Sequence, residues 1–223
     1  MRYIRTSGWE DGIADLTQRL VHELAAEKCV VWLICGGSNI PASVQVMRTI
    51  PKRLRDHLII LLIDERYGPV GHPDSNAAQL EQAGFRPTEA HWLPILHPNT
   101  SLPVTVKQYE KVVAKTLAQA DCIIGQLGIG EDGHLAGIMP DSPAAQETSR
   151  LVYGYQATDF ERITLTFPAL RQIDVAYAFA FGPAKRAALE HLQRRRPANK
   201  QPSQILKQLP EAYVYNDQIG EIL

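Results

Sequence analysis

Cysteine is scarce in this chain of 223 residues: there are three, Cys29, Cys35 and Cys122, with no CxxC pair among them. An odd count cannot pair fully within the chain, and all three sit inside apolar runs. They read as reduced core thiols rather than a disulfide framework. Long hydrophobic runs are also missing. The longest are of strand length, well short of the roughly 18 apolar residues of a membrane span. The start, MRYIRTSGWEDG, is basic but has no apolar segment of signal-peptide length. A cytoplasmic protein with no membrane partner is the expectation. Neither sign of charge is in excess. Lys and Arg number 23 against 24 Asp and Glu, a formal net charge of -1, so nothing global draws the protein toward nucleic acid. The triplet Arg194-Arg195-Arg196 reads as a complement to a helix C-terminus. Metal-ligand spacing is lacking too: there is no HExxH, and the seven histidines offer no close pair beyond His91 and His97. No metal site is expected.

What the chain does have is an alternation of periods. Ile13, Leu16, Leu20 and Leu24 recur at helical spacing and lead into the continuous apolar run CVVWLIC at 29–35. The pattern repeats with a helix over 41–48, the run HLIILLID ending at Asp64, a helix over 75–83 and a short strand at 91–95. A helix over 101–120 and a strand over 121–128 follow. RITLTF (162–167) and VAYAFAFG (175–182) read as strands, 183–193 as a helix opened by Pro183, and 204–209 and 212–217 as a closing helix and strand. Apolar strands separated by helices indicate a doubly wound α/β fold. The sheet is largely parallel, Rossmann-like, covered by helices on both faces, and forms one domain over 1–223. In such folds ligands bind beyond the carboxyl ends of the strands, and three polar, glycine-rich segments fall there.

Each segment has two readings. Gly36-Gly37-Ser38 before a helix can present N–H groups to an anion, or can be a tight turn. Asp64-Glu65-Arg66, running on to His72-Pro73-Asp74-Ser75-Asn76, is either a solvated ion-pair turn or a chemical site. Gly128-Ile129-Gly130-Glu131-Asp132-Gly133-His134 matches GxGxxG. Pro140 nevertheless leaves little room for the required helix, and no acidic residue ends a second strand about 20 positions on, which argues against a dinucleotide. Asp132 two residues before His134 suits a general acid/base pair, the alternative being a loop histidine with no role.

Taken together, the segments resemble the family that holds 6-phosphogluconolactonases and glucosamine-6-phosphate deaminases. The matching pieces are GGS at 36–38, DERY with HPDSN at 64–76, LGIGEDGHLAGIMPDSP at 127–143, RITLTFPAL at 162–170 and GPAKRAAL at 182–189. The DER-to-DSN and DGH segments resemble the lactonase branch in particular. The resemblance implies hydrolysis of 6-phosphogluconolactone, a sugar phosphate of the oxidative pentose phosphate pathway, without metal or organic cofactor. It implies His134 as the base activating water, with Asp132 beside it. Gly37 and Ser38 would hold the phosphate with Arg162 and Lys185 as its cations, and Asp64 and Arg66 would line the sugar. The chain departs from the family pattern in two places. The usual GGSTP reads Gly36-Gly37-Ser38-Asn39-Ile40-Pro41, and the threonine, serine and phenylalanine after the histidine are Leu135, Gly137 and Met139. These replacements are expected to strip hydroxyls from the site's wall. A deaminase or a non-catalytic sugar-phosphate sensor are the competing readings. LAGIMP lacks the acidic residue of the deaminases, and no DNA-binding segment accompanies a sensor.

Overall fold

The computed structural model describes residues 1–220. Ten strands form two sheets. The larger has seven parallel strands in the order β1 (Arg2–Arg5), β10 (Glu211–Asn216), β9 (Val175–Ala180), β6 (Cys122–Gly128), β2 (Val30–Ile34), β3 (Leu58–Leu62) and β5 (His91–Leu93). Every residue of β2 and β9 is buried, which is why these strands read as continuous apolar runs rather than alternating ones. From β2 the chain steps outward to β3 and β5, then returns past β2 to β6, β9 and β10. The gap between β2 and β6 is therefore the topological switch point, where the loops after the two strands diverge.

Right-handed crossovers assign the helices to faces. The outward steps carry α1 (Glu10–Ala25), α2 (Ile40–Thr49) and α3 (Asn76–Gln82), and α2 packs on both of the others. The return steps carry α4 (Leu102–Gln119), the short α5 (Pro143–Gln146) and α6 (Phe167–Leu170), and α7 (Arg186–Gln193). The helical stripe expected from the sequence is the buried one in α1: Ile13, Leu16, Leu20 and Leu24 face the sheet. No helix of the described residues is long and apolar enough to cross a membrane.

A second sheet stands beside the parallel one. RITLTF forms β8 (Glu161–Leu165), which lies outside the parallel sheet. It sits between β4 (Asp64–Arg66) and β7 (Val152–Gln156) in an antiparallel three-stranded sheet. The run HLIILLID is accordingly split. At Ile63 the N–H still donates to Ile34 of the large sheet, while the carbonyl already accepts from Leu165 of the small one. The closing helix over 204–209 is a 3-10 segment, Pro202–Gln208, and the first turn of the 183–193 helix is 3-10 as well.

One position in α1 sets two known magnitudes against each other. Gly12 costs the helix about 1 kcal/mol relative to alanine. A Cβ there would nevertheless lie 2.6 Å from Phe179 Cε1 and 2.8 Å from Tyr215 Cγ, and overpacking of that kind costs about 1–3 kcal/mol. Both rings are held in stacks, Phe179 between Trp9 and Tyr215, so they cannot yield easily. Gly12→Ala is expected to destabilise the protein by about 1–2 kcal/mol in urea unfolding. A stabilised variant would show that α1 can lift off the sheet.

Candidate active site

The loops after β2, β3 and β6 enclose a cleft of about 200 Å³ at the switch point, lined among others by Gly37, Ser38, Asp64, Arg66, His134, Arg162 and Lys185. Of the eight site residues expected from sequence, these seven share one wall system, and Asp132 stands directly behind His134. Two roomier hollows, one over Tyr177, Tyr213 and Tyr215 and one beside Phe85 and Trp92, are not lined by the loops after β2 and β6.

The loop after β2 enters a 3-10 turn, Gly37–Asn39, with Gly37 at φ +61, and passes directly into α2. Gly36 to Asn39 at that helix start line the cleft, and the N–H groups of a first turn have no partner within their own helix. Gly36 is needed for a different reason: a Cβ there would stand 1.9 Å from Asn76 Oδ1. Asn76 fills that space because its Nδ2 donates to the Asp64 carbonyl at 3.0 Å and to Asp64 Oδ2 at 3.4 Å.

Glu65 explains why DER and DSN travel together. Its carboxylate is fully buried and accepts four hydrogen bonds: Arg66 N (2.8 Å) and Asn76 N (2.6 Å) to Oε1, Ser75 Oγ (2.9 Å) and Ala77 N (3.0 Å) to Oε2. Burial pushes the carboxyl up while these donors pull it down. Burial is the larger effect and holds the carboxyl above its ordinary value, while the three backbone N–H groups, which can only donate, favour the ionised form. Asp64, also buried, is raised by desolvation, with Arg66, Arg162 and His134 opposing.

The loop after β6 holds His134 from two sides. Asp132 Oδ1 accepts from the His134 backbone N–H at 3.0 Å and contacts Nδ1 at 2.7 Å. The ring lies on Gly130, where a Cβ would be 2.0 Å from Nδ1. Burial raises the Asp132 carboxyl, but its bonds to His134 outweigh that and hold it below the ordinary value. An ionised Asp132 accepts the Nδ1 proton and leaves Nε2 as the basic nitrogen.

The cations differ in their partners. Arg162 is paired with Asp159, whereas neither Arg66 nor Lys185 has a carboxylate within ion-pair distance among the described residues. Arg66 donates Nη1 to the Asp74 carbonyl at 2.8 Å, and its buried Nε has no partner. Sequence reasoning had singled out neither Asn39 nor Asn76 as a site residue. Both are buried in the cleft lining, each with an unpartnered Oδ1. Asn76 could have been found from its place in the DSN motif.

The expected loss of hydroxyls from the wall does not hold. Leu135 is fully buried and bridges Ile129 and Ile138, so its side chain belongs to the core. Gly137 leaves no space to fill, since a Cβ there would lie 2.9 Å from Thr164 Cβ. Met139 packs against the core from a half-buried position. From this segment only Ala136, at φ +55, lines the cleft beside His134. Among the described residues no group of three or more His, Cys, Asp or Glu side chains is placed to hold a metal ion.

Comparison with known proteins places this geometry in context. The family model described as glucosamine-6-phosphate isomerases/6-phosphogluconolactonase matches residues 9–214. A 6-phosphogluconolactonase of Thermotoga maritima is 26% identical over 172 residues, which cover 75% of this chain and 77% of the relative. Among solved structures, 6-phosphogluconolactonase from Leishmania guyanensis superposes with a TM-score of 0.82 at 19% identity, covering 98% of this chain and 97% of that one. A monomeric glucosamine-6-phosphate deaminase superposes almost as well, with a TM-score of 0.79 at 15% identity and 97% coverage of both chains.

The buried Glu65 generates a direct test. Glu65→Gln keeps one acceptor oxygen but turns an NH₂ group toward two of the four donors. With the NH₂ on the Ser75 side that hydroxyl can turn to accept, which leaves one donor unpaired, so the variant is expected to lose about 1–3 kcal/mol of stability in denaturant titration. A loss under about 0.5 kcal/mol would mean that the α3 start and the Asp64–Arg66 strand are held by something else.

Proposed function

The chain belongs to the glucosamine-6-phosphate isomerase/6-phosphogluconolactonase family, and from that premise we propose that it hydrolyses 6-phospho-D-glucono-1,5-lactone to 6-phosphogluconate. The observation that carries this reading is the pairing of His134 with Asp132, which fixes the imidazole so that Nε2 serves as base. The cleft it faces offers three cations, Arg66, Arg162 and Lys185. Nε2 takes a proton from water as the oxygen attacks the lactone carbonyl carbon. The carbonyl electron pair moves to oxygen, where Arg66 stabilises it, then returns to expel the ring oxygen. That oxygen takes the proton back from the imidazolium, leaving the open-chain acid. The phosphate is held by the N–H groups and hydroxyl of Gly37 and Ser38 with Arg162 and Lys185, while Asp64 lines the sugar. The name of the Thermotoga relative supports the lactonase branch. So does the segment between His134 and Met139, Leu-Ala-Gly-Ile, which has no carboxylate for deamination.

His134→Ala is expected to lower blank-corrected lactonase turnover by about 10²–10⁴-fold. Unchanged turnover would remove His134 from the chemistry, and ammonia release from glucosamine 6-phosphate at a comparable rate would move the chain to the deaminase branch. A second variant tests the phosphate contact. Lys185→Ala should cost about 1.5–3 kcal/mol of binding for the phosphorylated lactone and almost nothing for unphosphorylated gluconolactone. Equal losses on both substrates would make Lys185 a support of the fold.

A further inference from the structure

Arg66 and Arg162 are directly opposed on the antiparallel ladder of β4 and β8. Like charges so placed repel, and a sheet keeps them only where other groups offset the repulsion. Both offsetting groups come from the tip of the β7–β8 hairpin. The Phe160 ring lies 5.5 Å from the Arg66 guanidinium carbon and 5.7 Å from that of Arg162, so one ring serves both cations. Asp159 takes the Nε and Nη2 donors of Arg162 at 3.3 and 2.7 Å, a two-point contact that leaves Nη1 toward the rest of the site. The two arginines line the cleft, whereas Asp159 and Phe160 stand outside it. Asp159 is half exposed while the Arg162 side chain is 9% exposed.

We propose that Asp159 is a built-in counter-ion that stabilises the empty arginine pair and weakens its grip on the substrate's phosphate. This rests on reading the cleft as a phosphate site. Two effects compete when the Asp159 charge is removed. Arg162 loses one anchor of its orientation, but packing and the Phe160 ring still confine it, and an asparagine retains an acceptor oxygen. The electrostatic effect is the larger. A unit charge about 7 Å from a bound anion, in a medium between protein surface and water, changes affinity about three- to tenfold. The hydrolysis product carries a new carboxylate in addition to its phosphate, so a moderated cationic site favours its release over its retention.

The test is the affinity for inorganic phosphate, measured by titration calorimetry at low ionic strength on the wild type, Asp159→Asn, Arg162→Ala and the double variant. Asp159→Asn should bind phosphate about three- to tenfold more tightly, with the gain shrinking as salt is added. Its Tm should fall, because the opposed arginines lose their counter-ion. In the Arg162→Ala background the same substitution should change affinity less than about twofold, because the half-exposed Asp159 is held beside the cleft by Arg162 and turns to solvent without it. Unchanged or weaker phosphate binding by Asp159→Asn would overturn the proposal, as would an equal gain without Arg162. If none of the four proteins binds phosphate, the reading of the cleft falls and the proposal with it. Binding by the wild type without a gain in the variant overturns the proposal alone.

Discussion

The cleft depends on one buried carboxyl group. Glu65 is fully enclosed, and taking a carboxylate out of water costs several kcal/mol unless hydrogen bonds replace the solvent. Its four donors come from both sides of a ten-residue excursion: one from Arg66, three from the start of α3. The carboxylate therefore does the work of a helix cap and of a loop clamp at once, since α3 has only a single side-chain cap of its own, Ser75. Once α3 begins where Glu65 places it, Asn76 reaches the Asp64 carbonyl and fills the space above Gly36. Two strand-end segments, at Gly36 and at Asp64–Arg66, and the start of α3 are thus locked into one geometry before any ligand arrives. Preorganisation of that kind is what an electrostatic site requires.

The sheet was legible wherever burial is complete. Residues 30–34 and 122–127 are buried without interruption, and a strand covered on both faces can only be written as an unbroken apolar run. Periodicity says nothing, however, about which sheet a strand joins. The apolar stretch of β8 looks the same in a small antiparallel sheet as it would in the large parallel one, so its pattern marks a strand without saying which sheet it joins. The strand β7 escaped notice because it alternates poorly. Tyr153 and Gly154 are half-buried, and Gly154 is kept free of a side chain by Val106 and Leu102 of α4. The edge strand β1 has no fully buried residue and so no apolar signature at all.

At the site, the residues gathered around the cleft were legible and their supports were not. His134, Asp132 and Arg66 sit in short motifs at strand ends, where residue type alone suggests a role. Asp159 and Phe160 lie in a hairpin tip with no motif, and their importance comes from a pairing across β4 and β8 that no linear reading contains. The segment after His134 failed in the opposite sense. Its residue types suggested a changed wall, but the bridges of Leu135 to Ile129 and Ile138 turn that side chain into the core. Substitution at a motif position matters to a cleft only if the backbone aims the position at it.

Charge selectivity in this protein is a matter of arrangement rather than total. With a net charge of -1 the chain has no long-range pull on anions. Elsewhere on the molecule many cations are already spoken for: Arg19 and Lys28 by Glu23, Arg150 by Glu110, Arg186 by Glu190, Lys200 by Asp141. Exposed pairs of this kind add little stability, but they flatten the field around the molecule. The cleft reverses the pattern. Among the described residues it holds Arg66 and Lys185 without carboxylate partners in ion-pair range, the former beside an aromatic ring. A ring attracts a cation without cancelling its charge. The field of Arg66 and Lys185 therefore extends into the cleft rather than ending on a neighbouring acid, whereas that of Arg162 is partly offset by Asp159.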